Sequence, residues 1–106
     1  MATTKTPAAV ANGQRRMGEQ LQIWRKLRLL TVAQVAERAG ISRYTVMRLE
    51  NGAGASMENL LRVARALGVL ELLVAAVDPY ATDLGRLRAQ EMLPKRVRTP
   101  RTARTP

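Results

Sequence analysis

Residues 39–52 read AGISRYTVMRLENG, and the fold turns on this stretch. Ile41, Val46 and Leu49 have the spacing of one narrow helical stripe, which predicts a short helix seated on a core along that edge. Gly40 suits the left-handed residue that stops a preceding helix, Ser42 is an N-cap, and Gly52 is a stop. Arg43, Tyr44, Met47 and Arg48 are left on the other side, pointing away from any core. Large side chains on an exposed face cost entropy and solubility, so their presence asks for a bound partner.

Working outward, Thr31 caps an earlier helix whose Val32, Val35, Ala36 and Ala39 form its stripe. A helix, a short turn beginning with Gly, and a second helix capped by Ser is the helix-turn-helix layout. Such a turn sets the two helices at a steep angle, with Ile41, Val46 and Leu49 packing on Val35 and on an Ala36 that must be small. A first helix is expected from Gly18 to Arg28, with Leu21, Trp24 and Leu27 on its buried side. Ser56 caps a fourth, with Leu60, Val63, Ala64 and Leu67 inward and Gly68 at its end. A fifth covers Val69 to Val77 before Asp78-Pro79 ends it. That helix is apolar nearly all round, so part of it is expected to meet another chain; Leu70, Leu73, Val74 and Val77 are the candidate two-fold contact. Strand signals and internal repeats are absent, and the fold class is all-α.

Three textures divide the chain. Residues 1–16 hold Thr, Pro, Ala, Asn and Gly without periodicity and read as a flexible N-terminal arm ending in Arg15 and Arg16. Residues 17–78 form the helical domain. Residues 79–106 are a basic C-terminal extension, largely disordered, closing on LPKRVRTPRTARTP. There are 18 Lys and Arg against 8 Asp and Glu in 106 residues, a formal charge of +10 that calls for an anionic partner. The absence of Cys and His removes thiolate chemistry, the usual general base and the commonest metal ligand. With no paired carboxylates and no phosphate-binding Gly loop either, the chain does not read as an enzyme, and no cofactor or metal is expected. No stretch has the apolar length of a membrane span or of a secretion signal, so a cytoplasmic location is expected and a membrane partner is not.

LTVAQVAERAGISRYTVMRLENG, preceded by LQIWRKLRL and followed by SMENLLRVARALGV, resembles the Cro/C1-type (XRE) helix-turn-helix family over about residues 18–77. The resemblance implies a compact five-helix, lambda-repressor-like DNA-binding domain located with the bacterial or phage nucleoid. It implies that Arg43, Tyr44, Met47 and Arg48 read bases and that Ser42, Thr45 and Asn51 touch phosphates. It also implies an ion pair between Arg25 and Glu50. The family usually begins the second helix with Gln where this chain has Val32, so that phosphate contact falls to Gln34 or Arg28.

The function expected is therefore a homodimeric, sequence-specific (auto)repressor that reads the major groove of a palindromic double-stranded operator with helix 42–51. The alternative is an antitoxin. DPYATDLGRLRAQEMLPKRVR resembles extensions in helix-turn-helix proteins encoded beside HipA-like kinases, which implies a HipB-like protein that holds a toxin kinase through residues 80–93. Lys95, Arg96, Arg98, Arg101 and Arg104 would add phosphate contacts or dock on that partner. A protein–protein adaptor on the same body would have no need of Arg43, Tyr44 and Arg48 together.

Overall fold

Thr31, Ser42 and Ser56 each turn a hydroxyl onto the backbone N–H three residues ahead, accepting hydrogen bonds of 3.1, 3.1 and 3.0 Å from Gln34, Thr45 and Asn59. Each of these amides is one of the orphan donors of a first helical turn, so the three side chains start α2 (Val32–Ala39), α3 (Arg43–Glu50) and α4 (Met57–Leu67). At α2 the cap is reciprocal, because Gln34 Oε1 accepts the Thr31 N–H at 2.8 Å. The structure is a computed structural model that describes residues 5–92. It adds α1 (Ala8–Leu27), α5 (Leu70–Ala75), a 3-10 turn at Pro79–Ala81 and a helix α6 over 83–92. No strand occurs among the described residues. The chain divides into two units, Met1–Leu70 and Glu71–Pro106, at a point inside α5 rather than at the expected 78/79 boundary.

In the first unit α1 to α4 end alike. A left-handed residue follows each helix, and the amide after it bonds back to a carbonyl five residues earlier: Leu30 to Arg25, Ile41 to Ala36, Ala53 to Arg48 and Val69 to Ala64, at 2.8–3.0 Å. The left-handed residue is glycine at three of these ends. At the first it is Leu29, with φ 59° and a side chain 88% exposed.

The core of this unit is small and aliphatic. α2 contributes Val35, Ala36 and Ala39; α3 contributes Val46 and Leu49; α4 contributes Val63, Ala64 and Leu67; Leu21 and Val69 complete it. α1 packs on α3 and α4, and α2 packs on the same two helices. Burying one Val or Leu side chain fully stabilises by roughly 1.5–3 kcal/mol, so this set holds α3 in place by one edge only.

Two expectations for α1 need correction. The helix begins at Ala8, so 8–16 is helical rather than a flexible arm. Ala8, Ala9 and Ala11 favour a helix, and Pro7 sits where a helix start tolerates it. Leu27 is 67% exposed instead of buried. At about 100° per residue, Leu27 lies about 120° round the helix from Leu21, off the packed edge. Gly18 is buried instead, and Arg25 takes the half-buried position one turn beyond Leu21.

The second unit is built by local caps. Asp78 Oδ1 accepts the Tyr80 N–H at 2.9 Å, which sets the 3-10 turn, and Thr82 Oγ1 accepts the Gly85 N–H at 3.0 Å, which starts α6. A side chain at Gly85 would run into Pro79, its Cβ 2.6 Å from that carbonyl carbon, so glycine lets the turn fold onto α6. Arg86 donates to the Tyr80 carbonyl at 2.7 Å and pairs with Asp83. The extension is therefore helical over 83–92 where disorder was expected: Pro79 and the capping Thr82 initiate structure here instead of breaking it. The basic stretch 93–106 lies outside the described residues, as do residues 1–4. No helix among the described residues is long and apolar enough to cross a membrane.

Candidate nucleic-acid interface

Val46 is fully buried and Leu49 is 7% exposed, whereas Tyr44 and Met47 on the same helix are 67% and 50% exposed. Arg43 and Arg48 are exposed as well. The sequence of α3 thus separates into a core edge and a solvent face, and four large side chains share that face. Arg43 makes no side-chain hydrogen bond among the described residues. Arg48 is different: its Nη2 donates to the Ala53 carbonyl at 2.8 Å, and its guanidinium lies 5.9 Å from the Tyr44 ring centroid. Reading a base through Arg48 means exchanging the Ala53 bond for one to the base.

The helix ends carry small polar groups. Ser42 Oγ, besides capping α3, shares a 2.9 Å hydrogen bond with Thr45 Oγ1, and Asn51 is the exposed C-cap. Gln34 is spent on its own cap, while its exposed amide nitrogen faces away from that bond. Arg28 is drawn to the scaffold. Its Nε donates to the Leu67 carbonyl at 3.0 Å, satisfying an end of α4, and its guanidinium stacks 5.4 Å from the centroid of half-buried Trp24.

Arg25 and Glu50 are together. Arg25 Nε and Nη2 donate to the two carboxylate oxygens at 2.7 and 3.1 Å, with side chains 12% and 6% exposed. Arg25 Nη1 also donates to the Leu30 carbonyl at 2.9 Å, and Gln22 Nε2 donates to Glu50 Oε1 at 3.3 Å. The pair ties the last turn of α3 to α1, and Gln22 is a partner that the sequence offered no sign of.

A second tie is made of backbone. Gly18 of α1 lies so close to the end of α3 that a Cβ there would meet the Leu49 and Glu50 carbonyl oxygens, the latter at 2.6 Å. At Gly52, φ 77°, a Cβ would lie 2.7 Å from Arg15 Cα. The sequence signalled neither approach, because hydrophobic periodicity does not register contacts made by glycine.

Among the described residues no cluster of three His, Cys, Asp or Glu could hold a metal ion. Leu70 and Leu73 are half-buried, while Val74 and Val77 are 50% and 82% exposed.

Residues 21–72 match the family model described as helix-turn-helix. No curated protein and no solved structure gives a significant match. The matched region spans all of α2, α3 and α4, with the solvent face of α3 at its centre. Its kind of function is DNA-binding transcription regulation, and the family is generally non-enzymatic. Over residues 21–72, then, the chain belongs to the Cro/C1-type helix-turn-helix family.

Proposed function

We propose that the protein is a homodimeric repressor, acting on its own promoter in the cytoplasm, that reads a palindromic operator with α3 in the major groove. The observation that carries this reading is the split of α3 into a buried edge, Val46 and Leu49, and an exposed face of Arg43, Tyr44, Met47 and Arg48. A major groove admits one helix; Arg pairs with guanine O6 and N7, and Tyr or Met packs on a thymine methyl. Ser42, Thr45 and Asn51 at the helix ends suit phosphates, which set register without reading sequence. Gln34 retains amide protons for the same purpose, whereas Arg28, held on Leu67, is the weakest member of that set. One recognition helix covers few base pairs, so two copies about one helical turn apart give the affinity an operator needs. The apolar face of Leu70, Leu73, Val74 and Val77 is the contact assigned to that pairing.

A selection from random duplex DNA with the full chain tests the reading. Enrichment of an inverted repeat is expected; recovery of no motif would overturn it. A second reading, an antitoxin that also grips a toxin kinase through residues 80–93, draws support from α6, where Leu84 and Leu87 are 64% and 54% exposed. Copurification of a kinase with the chain from its host separates the two.

A further inference from the structure

The first half of α1 lies outside the matched region, yet it is keyed to the recognition helix more tightly than side-chain packing alone allows. Three glycines make the fit. Gly18 faces the carbonyls that end α3, Gly52 faces Arg15 Cα, and a Cβ at Gly54 would lie 3.0 Å from Gln14 Nε2. Met17 and Leu60 line the same seam with Leu49. Residues 8–17 are thus a fixed part of the DNA-binding unit, and the loop following Asn51 is pressed against them.

We propose that Arg15 is a further phosphate-contact residue, extending the DNA interface from the end of α3 onto the N-terminal turns of α1. This rests on the reading that α3 faces DNA. Arg15 Cα and Cγ lie across Gly52, with Cγ 3.0 Å from where a Cβ would stand there, so the stem of the side chain crosses the turn that directly follows Asn51, itself assigned to a phosphate. Its side chain is exposed and bonded to Asn12, an uncharged partner on the same helix, so the cation keeps its full charge for an anion. Charge on this segment is predominantly positive. Lys5, Arg15 and Arg16 stand against the single acid Glu19 over residues 1–20, a cationic balance that matches a polyanion such as the duplex backbone and opposes a basic protein surface. The backbone contact at Gly52 also restricts where the guanidinium can reach, so less freedom is lost on binding than for an arginine on a flexible arm.

Titration of a labelled mixed-sequence duplex with the full-length protein, at salt concentrations between about 50 and 200 mM, tests the assignment. Arg15→Gln keeps the stem over Gly52 and removes the charge; Lys26→Gln removes an equal charge from the far end of α1. Arg15→Gln is expected to flatten the slope of log K against log salt by about 1 per protomer, while Lys26→Gln leaves it nearly unchanged. Thermal melts of both variants should match wild type, since both side chains are exposed. Equal slopes for the two variants, or an Arg15→Gln slope equal to wild type, would overturn the contact alone. A wild-type protein that binds no duplex at all would overturn the underlying reading of α3 as well.

Discussion

The Arg25 guanidinium on α1 and the Glu50 carboxylate at the end of α3 meet along two hydrogen bonds, 2.7 and 3.1 Å, in a site open to solvent by 12% and 6% of the two side chains. Removing one member strands the other where water reaches it poorly. Glu50→Ala is therefore expected to cost roughly 3–5 kcal/mol in denaturant unfolding. The double variant Arg25→Met/Glu50→Leu should cost much less than the two single changes added together. Additive losses would mean that the two charges do not depend on one another.

Gly13 and Gly18 sit on the same helix five residues apart, and alanine at each should move stability in opposite directions. A Cβ at Gly13 meets nothing within 4 Å, so Gly13→Ala gains about 0.5–1 kcal/mol from helix propensity. At Gly18 the new methyl is driven into two backbone carbonyls that cannot rotate aside, with an expected loss of about 1–3 kcal/mol or more. Thermal melts of the two variants on either side of wild type are the outcome expected; two shifts of the same sign would contradict the close approach of α1 and α3.

How much of this was legible in the sequence depends on which atoms make the contact. Thr31, Ser42, Ser56, Gly40 and Gly68 announce helix ends through their own chemistry, and α2 to α4 lie where those residues put them. The start of α1 was hidden because Asn12, Gly13, Gln14, Arg15 and Arg16 show no apolar stripe, and the packing there runs through glycine and backbone. Leu27 misled in the other direction: an i, i+3, i+6 series looks like a stripe but rotates steadily off the face. The exposed set on α3 was legible as a face, since Val46 and Leu49 fix which side is inside. That Arg48 rests on the Ala53 carbonyl and Arg28 on the Leu67 carbonyl could not be read from residue types, because long cations choose among nearby acceptors only once the fold exists.

On the interface, Arg43 is the cleanest test of base reading, because it bonds to nothing among the described residues. Arg43→Ala is expected to weaken binding to a selected operator by about 1–3 kcal/mol and to leave random duplex nearly unaffected. Arg48→Ala should lose a similar amount, but it also frees the Ala53 carbonyl, so a change in melting temperature is expected only for Arg48. Equal losses on operator and random DNA would reduce Arg43 to a phosphate contact. Gel-shift titrations against both duplexes, with melts alongside, provide the comparison.

Assembly can be tested without DNA. Val74 is 50% exposed on α5, so Val74→Glu places a charge in the assigned two-fold contact at little cost to the isolated chain. Sedimentation at micromolar concentration should give a dimer for wild type and a monomer for the variant. Operator affinity should fall with the loss of the second recognition helix. A monomeric wild type would remove α5 from the role.

The way α3 is held has a consequence for how this protein diversifies. Its anchoring lies in Val46, Leu49, Glu50 and the carbonyls against Gly18, whereas Arg43, Tyr44 and Met47 hold no part of the core, Tyr44 facing only the Arg48 guanidinium of its own helix. Those three positions can be exchanged for other side chains while the scaffold stays as it is. On the proposed reading of α3, duplicated copies of such a gene drift to new target sequences in single steps, each intermediate still folded. Arg48 is the exception: its hold on the Ala53 carbonyl makes it the slowest of the four positions to change.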